Sequence, residues 1–280
     1  MLGVRTAHIH LGPHKTGSTS FQLLMQKKEG FLEGNGVAYV SRHSRCRSAY
    51  VGWREGFARV LKKVILSGFD DPELFGLLVG QFEMLRPIFG ECSGLIFSDE
   101  NILGWPVGHF YGPYKGSRRA VSYYPAMKVV LTAFVSAFSK EFDQINFYMV
   151  KRDWLGQVKS LYKDFFRKYY HAGCVSQEKY LSYLEQCGAR QSFERFWEEA
   201  GSFPGVCVLP YSPSSGKILL EHLGAGLGLL LVQFAGEMTR SNPSVEDRLM
   251  EKMIRLHPYL RERKSRYSDK EFDELKNLLS

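Results

Sequence analysis

The chain has little cysteine, and what it has is unpatterned. Its five cysteines (Cys46, Cys92, Cys174, Cys187 and Cys207) are odd in number and widely spaced, with no C-x-x-C pair. That argues against a disulfide framework or a cysteine-built metal site and fits reduced thiols. Cys207 falls in an apolar run and is expected to pack there. Long apolar runs are missing as well. The longest, Leu227 to Ala235, is far shorter than the roughly 20 residues a membrane-spanning helix needs. No signal-peptide pattern opens the sequence. The expectation is a cytoplasmic protein without a transmembrane segment, with peripheral membrane contact left open. Linkers, internal repeats, low-complexity tracts and nucleic-acid-binding motifs are also absent, so no nucleic-acid partner is expected.

What is present is enough apolar material for a sizeable core. The chain has 280 residues, of which 44% are hydrophobic, which suits one large α/β domain or two small ones. A net charge of +8, from 37 Lys+Arg against 29 Asp+Glu, favours anionic ligands. The basic residues are scattered. Their densest clusters, Arg42–Arg47, Lys159–Lys168 and Arg255–Arg266, read as solvated surface.

Apolar strand candidates alternate with helical patterns. Ala7–Leu11, Gly36–Val40, Gly94–Ser98, Gln144–Val150 and Val206–Pro210 read as strands. Residues 54–66 carry a helical face of Phe57, Val60, Leu61, Val64 and Ile65, and Leu74 to Leu85 carry another. This predicts an α/β fold: a P-loop-type, mainly parallel sheet flanked by helices on both faces. The expected organisation is a single domain over 1–280, with its core at about 7–235 and a helical C-terminal extension over 236–280. Ligands of such sheets bind at the carboxyl ends of the strands, which singles out Gly12–Ser20, Ser98–Asn101 and Lys151–Asp153. The segment from Gly104 to Tyr124, rich in Gly, Pro, Tyr and Trp, reads as a long loop.

The first of these strand ends is the most informative. Ala7-His8-Ile9-His10-Leu11 runs into Gly12-Pro13-His14-Lys15-Thr16-Gly17-Ser18-Thr19-Ser20. An amphipathic helix follows, with Phe21, Leu24 and Met25 on its apolar face and Gln22, Gln26, Lys27 and Lys28 assigned to its polar side. A glycine-bearing loop opening a helix presents backbone N–H groups to an anion, and Lys15 adds a full charge. The nucleotide-triphosphate loop places its lysine directly after the last glycine. Here Ser18 follows Gly17, and the lysine stands two residues before it. That argues against an ATP- or GTP-cleaving enzyme, though a P-loop kinase and a non-catalytic nucleotide-binding protein of the same fold remain as alternatives. Further along, Arg152 ends a strand and Ser160 lies eight residues on, in a helix with an aromatic face. An arginine fork and a hydroxyl so placed could converge on one anion.

Together these two segments resemble the sulfotransferases that use 3′-phosphoadenosine 5′-phosphosulfate (PAPS), and their bacterial, carbohydrate-type branch in particular. That family carries a 5′-phosphosulfate loop P-x-K-[ST]-G-[ST]-[ST], fitted by Pro13-His14-Lys15-Thr16-Gly17-Ser18-Thr19. It also carries a 3′-phosphate signature, an arginine after a later strand and a serine eight residues on, fitted by Arg152 and Ser160. The chain departs from the family's small-molecule enzymes in two places. Their C-terminal R-K-G-x-x-G-D-W motif is missing, and Thr239-Arg240-Ser241-Asn242-Pro243-Ser244 stands near its place, with Arg240 a candidate nucleotide contact. Their catalytic histidine is replaced within Ser98-Asp99-Glu100-Asn101, where Glu100 takes the matching position.

The resemblance implies a P-loop sulfotransferase that takes PAPS as donor, releases 3′-phosphoadenosine 5′-phosphate (PAP) and needs no metal. The acceptor is a hydroxyl or amine, expected on a sugar or glycolipid. Lys15 and the amides of Gly17 to Ser20 would hold the 5′-phosphosulfate, with Thr16 and His14 as further cofactor-binding residues and His14 also shaping the loop. Lys15 would offset charge on the bridging oxygen. Arg152 and Ser160 would hold the 3′-phosphate, and Glu100 would be the base, with Asp99 the competitor. A carboxyl of ordinary pKa, near 4, is a weak base at neutral pH, so burial is expected at this position. Trp105, Tyr111, Tyr114, Tyr123 and Tyr124 are candidates for stacking on sugar rings.

Overall fold

Five short runs, each almost wholly buried or half-buried, become strands: β1 (Thr6–His10), β2 (Val37–Ser41), β3 (Gly94–Ser98), β4 (Gln144–Lys151) and β5 (Val206–Pro210). The computed structural model describes residues 4–12, 18–104, 123–172, 176–212, 215–238, 249–253 and 255, with backbone alone for 164–172 and 179. Pro13 to Gly17, Trp105, Tyr111, Tyr114 and Arg240 to Ser244 therefore lie outside the described residues, and with them His14, Lys15 and Thr16.

The strands form one sheet in the order β2-β3-β1-β4-β5. Every pairing is parallel, so the sheet is wholly rather than mainly parallel. Thr6 to His10 pair in register with Gly94 to Ser98 on one side and with Gln144 to Tyr148 on the other. All five carboxyl ends thus share one edge, and β1 is central. Ser41, Ser98, His10 and Tyr148 lie in one row across it.

Alternate strand residues face opposite sides, and helices cover both. On one face, Tyr39, Ile96, Tyr148, Val150 and Leu209 pack with α1 (Ser18–Lys27), α2 (Glu29–Gly34) and α10 (Ser215–Leu227) through Phe21, Leu24, Met25, Leu32, Leu219, Leu220 and Leu223. On the other, Phe97 and Phe147 meet aromatic rings of α3 (Arg47–Ser67) and α6 (Met127–Phe138), and Phe82 of α4 (Pro72–Glu83) packs on the rings of those two helices. Trp53–Phe57, Phe82–Phe134 and Phe134–Phe138 stand 5.0, 5.0 and 4.7 Å apart between ring centroids. Such pairs contribute about 0.5–1.5 kcal/mol each beyond area burial. Asp71 caps α4, its Oδ1 accepting from the N–H groups of Glu73 and Leu74 at 2.9 and 3.2 Å. A four-residue helix, α5 (Arg86–Phe89), leads into β3.

Two units are distinguished by their contacts: 1–106, 124–152 and 194–241 make one, and 107–123, 153–193 and 242–280 the other. The first holds the whole sheet. In the second, α7 (Trp154–Ala172) and α8 (Gln177–Gln186) meet through the rings of Tyr162 and Tyr180 at 5.6 Å. Trp154 packs on Phe193 of α9 (Ala189–Ser202), and Asp153 caps α7 by accepting from Gly156 N–H at 2.7 Å. Beyond the sheet unit, residues 249–253 are helical. No helix among the described residues is long and apolar enough to cross a membrane.

Candidate active site

The parallel sheet gathers four polar strand ends on one edge: Gly12 and Ser18–Ser20 after β1, Arg42 after β2, Asp99 and Glu100 after β3, and Arg152 after β4. Ser18 starts α1 and is buried, while Thr19 and Ser20 are half-buried. The hydroxyl-bearing start of a ten-residue helix therefore sits at the carboxyl end of the central strand, a placement that fits an anionic ligand. Arg152 is half-buried, its guanidinium over the Tyr211 ring at 4.5 Å. Ser160 is half-buried on α7, within the second unit.

Asp99 and Glu100 are both buried, at 5% and 6% exposure, yet their surroundings separate their chemistry. Asp99 Oδ2 accepts from the Tyr50 hydroxyl and from Arg54 Nε, the latter at 2.8 Å. Its Oδ1 accepts from the backbone N–H and side-chain amide of Asn101, at 2.7 and 3.2 Å. Burial alone would raise the Asp99 carboxyl. Arg54, Tyr50 and Asn101 together outweigh it and hold the carboxyl below the usual carboxylate range. The same pairing, with burial as the larger cause, pushes the Tyr50 hydroxyl well above its ordinary value. Asp99 is thus a saturated anion that ties α3 to the end of β3.

Glu100 is engaged differently. Its Oε2 accepts from Gln22 Nε2 at 3.0 Å, and its Oε1 lies 3.8 Å from Arg42 Nη2. A hydrogen bond to a charged group contributes about 1.5–3 kcal/mol. The Arg42 pair is worth less, up to about 1 kcal/mol, because that side chain is 44% exposed. Gln22 is fully buried; the same amide nitrogen reaches Ser98 O at 3.2 Å and Ser98 Oγ at 3.1 Å. Ser98 Oγ in turn is 2.9 Å from His10 Nδ1. Gln22 has two amide hydrogens for its three oxygen neighbours, so either Ser98 or His10 can be the donor in that bond. Burial pulls His10 down to about 4 despite the nearby Glu100 charge, so it is neutral at pH 7.

The Arg42 loop is held by its own short bonds. Ser44 Oγ donates to Ser41 O at 2.8 Å, and His43 N–H donates to Ser41 Oγ at 3.0 Å. Arg45 N–H donates to the buried Glu29 carboxylate at 2.8 Å, which anchors the loop to α2. Arg42 then reaches Thr19 Oγ1 at 3.4 Å and His43 Nε2 at 3.0 Å. Burial, then the charge of Arg42, lowers His43. Arg42 thus spans the start of α1 and Glu100, rather than belonging to a merely solvated basic surface.

Gln22 corrects a sequence expectation. It was assigned to the polar side of α1, but it lies in the buried stripe of Ser18, Phe21, Gln22 and Met25. The i, i+3, i+4, i+7 spacing was the available signal, and residue type masked it. Arg42 was signalled by its place as the first residue after β2, at the same edge as the other strand ends. Two aromatic candidates for sugar stacking are corrected as well. Tyr123 and Tyr124 are 2% and 1% exposed, packed on Phe193 and Phe196, and act as core residues.

Comparison of the chain with protein-family models, with curated proteins and with solved structures gives no match. What the fold and the site define is therefore a class: a parallel α/β protein with a polar, carboxylate-bearing edge beside the helix start that follows its central strand.

Proposed function

We propose that this chain is a sulfotransferase that moves a sulfuryl group from PAPS to a hydroxyl or amine acceptor on a carbohydrate or glycoconjugate. The observation that carries the reading is the position of Glu100: a buried carboxylate at the end of β3, bonded to a side chain of α1, the helix that starts at Ser18. A carboxylate beside a ready-made anion site suits proton removal from an acceptor next to an anionic donor. The donor supplies the sulfuryl group; the protein supplies positioning and charge.

Each residue then has one task. Lys15, with the amides of Gly17 to Ser20, holds the 5′-phosphosulfate and offsets the negative charge that gathers on the bridging oxygen as its bond to sulfur breaks. Glu100 takes the proton from the acceptor hydroxyl as the acceptor oxygen bonds to sulfur. Arg152 holds the 3′-phosphate as a charged fork. PAP leaves with the bonding electron pair, and Glu100 returns its proton to water. Asp99 is disfavoured as the base because four donors and the Arg54 charge already occupy it.

Calorimetric titration with PAP and with adenosine 5′-monophosphate tests the reading. PAP is expected to bind at least ten-fold more tightly, and Arg152→Ala should erase most of the difference. No PAP binding at near-millimolar concentration would end the sulfotransferase reading.

A further inference from the structure

We propose that Gln22 is the positioning residue for Glu100, fixing the carboxylate's orientation through a hydrogen bond to one of its oxygens; this rests on the reading of Glu100 as the base. The geometry is specific. Gln22 is fully buried on α1, and its amide nitrogen meets three acceptors: Glu100 Oε2 at 3.0 Å, Ser98 Oγ at 3.1 Å and Ser98 O at 3.2 Å. A backbone carbonyl and a carboxylate can only accept, so the amide must present its NH2 group to them. The Gln22 carbonyl oxygen, also buried, has no partner among the described residues. The amide therefore satisfies the β3 edge while leaving its own oxygen unpaired, an arrangement that packing alone would replace with an apolar side chain.

The position matters as much as the bonds. Gln22 lies one helical turn beyond Ser18, in the stripe that seats α1 on the sheet. A shift of α1, the helix opened by the anion loop, would move the amide against Glu100. The base and the start of α1 are thereby coupled through one side chain. The other groups that face Glu100 are charged or titratable: Arg42 and His43 from the loop after β2, His10 on β1, Tyr39 on β2, and Tyr50 and Arg54 on α3. Arg42 is the cation nearest to it among the described residues, and it approaches the other carboxylate oxygen. Gln22 alone serves Oε2 among the hydrogen bonds described.

The test compares wild type with Gln22→Leu and Gln22→Glu. Gln22→Leu keeps the volume and cannot donate. Gln22→Glu keeps the shape and sets a second carboxylate beside the first. In transfer of labelled sulfuryl from PAPS, kcat is expected to fall ten-fold or more for Gln22→Leu at pH 7, with PAP affinity within three-fold of wild type. The acidic limb of kcat/KM should move to higher pH, further for Gln22→Glu than for Gln22→Leu. A merely structural role would lower the melting temperature and leave that limb in place, and this result would overturn the proposal. A readout independent of variants and turnover uses wild-type protein and nuclear magnetic resonance. The side-chain amide of Gln22 should shift with pH through the same midpoint as the Glu100 carboxyl carbon, which is assigned by its loss in Glu100→Gln. An amide that ignores that titration would also overturn the proposal. Wild type that binds no PAP and transfers nothing would instead fail the sulfotransferase reading, and the amide titration would still decide the coupling.

Discussion

Mild acid should destabilise this fold through two buried histidines of the central strand. His8 and His10 are 0% and 2% exposed, and burial lowers each from 6.5 to about 4. His8 is bonded to the Tyr148 hydroxyl at 3.0 Å and to Thr6 Oγ1 at 3.3 Å, and it is roofed by Gly226 of α10; His10 is bonded to Ser98. A depressed histidine pKa means that the unfolded chain binds the proton first. Stability is thus complete above pH 6.5 and falls as pH drops toward 4. At about 1.36 kcal/mol per pKa unit, each histidine costs about 2 kcal/mol by pH 5, and the pair costs about 4 kcal/mol. Against a typical stability of about 5–15 kcal/mol this is a large fraction. Asp99, also depressed, keeps its contribution until pH falls below about 3.8 and does not enter this window. Urea unfolding at pH 7.5 and pH 5.0 is the assay. With an m-value near 3 kcal/mol/M the midpoint should fall by about 1 M. His8→Gln and His10→Gln should each remove about half of that decline. An equal midpoint at both pH values, or an undiminished decline in both variants, would refute the reasoning.

Three further outcomes follow from the same structure. Asp99→Asn leaves Arg54 without its anion, and since Arg54 is about a quarter exposed the loss should be about 2–3 kcal/mol in urea unfolding at pH 7. Gly226→Ala should cost about 1–3 kcal/mol, because the added Cβ would strike the His8 ring between α10 and β1; calorimetric melting checks it. Lys15→Ala should reduce turnover by about a hundred-fold or more while changing PAP affinity far less, as measured by transfer rate and calorimetry.

How much was legible varies by element, and for physical reasons. β1, β3 and β5 were readable because each is a short apolar run closed by a turn or polar residue, as Gly94–Ser98 illustrates. α3 was readable from Phe57, Leu61 and Val64, although it begins earlier, at Arg47, where Tyr50 and Trp53 continue the same stripe. α6 was not picked out: Met127, Val130, Leu131, Phe134 and Phe138 are buried and most of the residues between them are also apolar, so a helical period has little contrast. At the site, Glu100 could be named from its strand end. Its distinction from Asp99 could not, because Tyr50 and Arg54 reach Asp99 from α3, 49 and 45 residues away. Gln22 and Arg42 left signals of position only, the helical spacing of α1 and the place after β2; their partners come from the spatial row of strand ends.

The central claim is that Glu100 removes a proton during sulfuryl transfer. Labelled-PAPS transfer onto extracted cell-surface glycans, run beside PAP calorimetry for wild type and Glu100→Gln, tests it most directly. The account predicts that Glu100→Gln binds PAP within about three-fold of wild type and loses at least a hundred-fold in turnover. Turnover equal to wild type in that variant would contradict it.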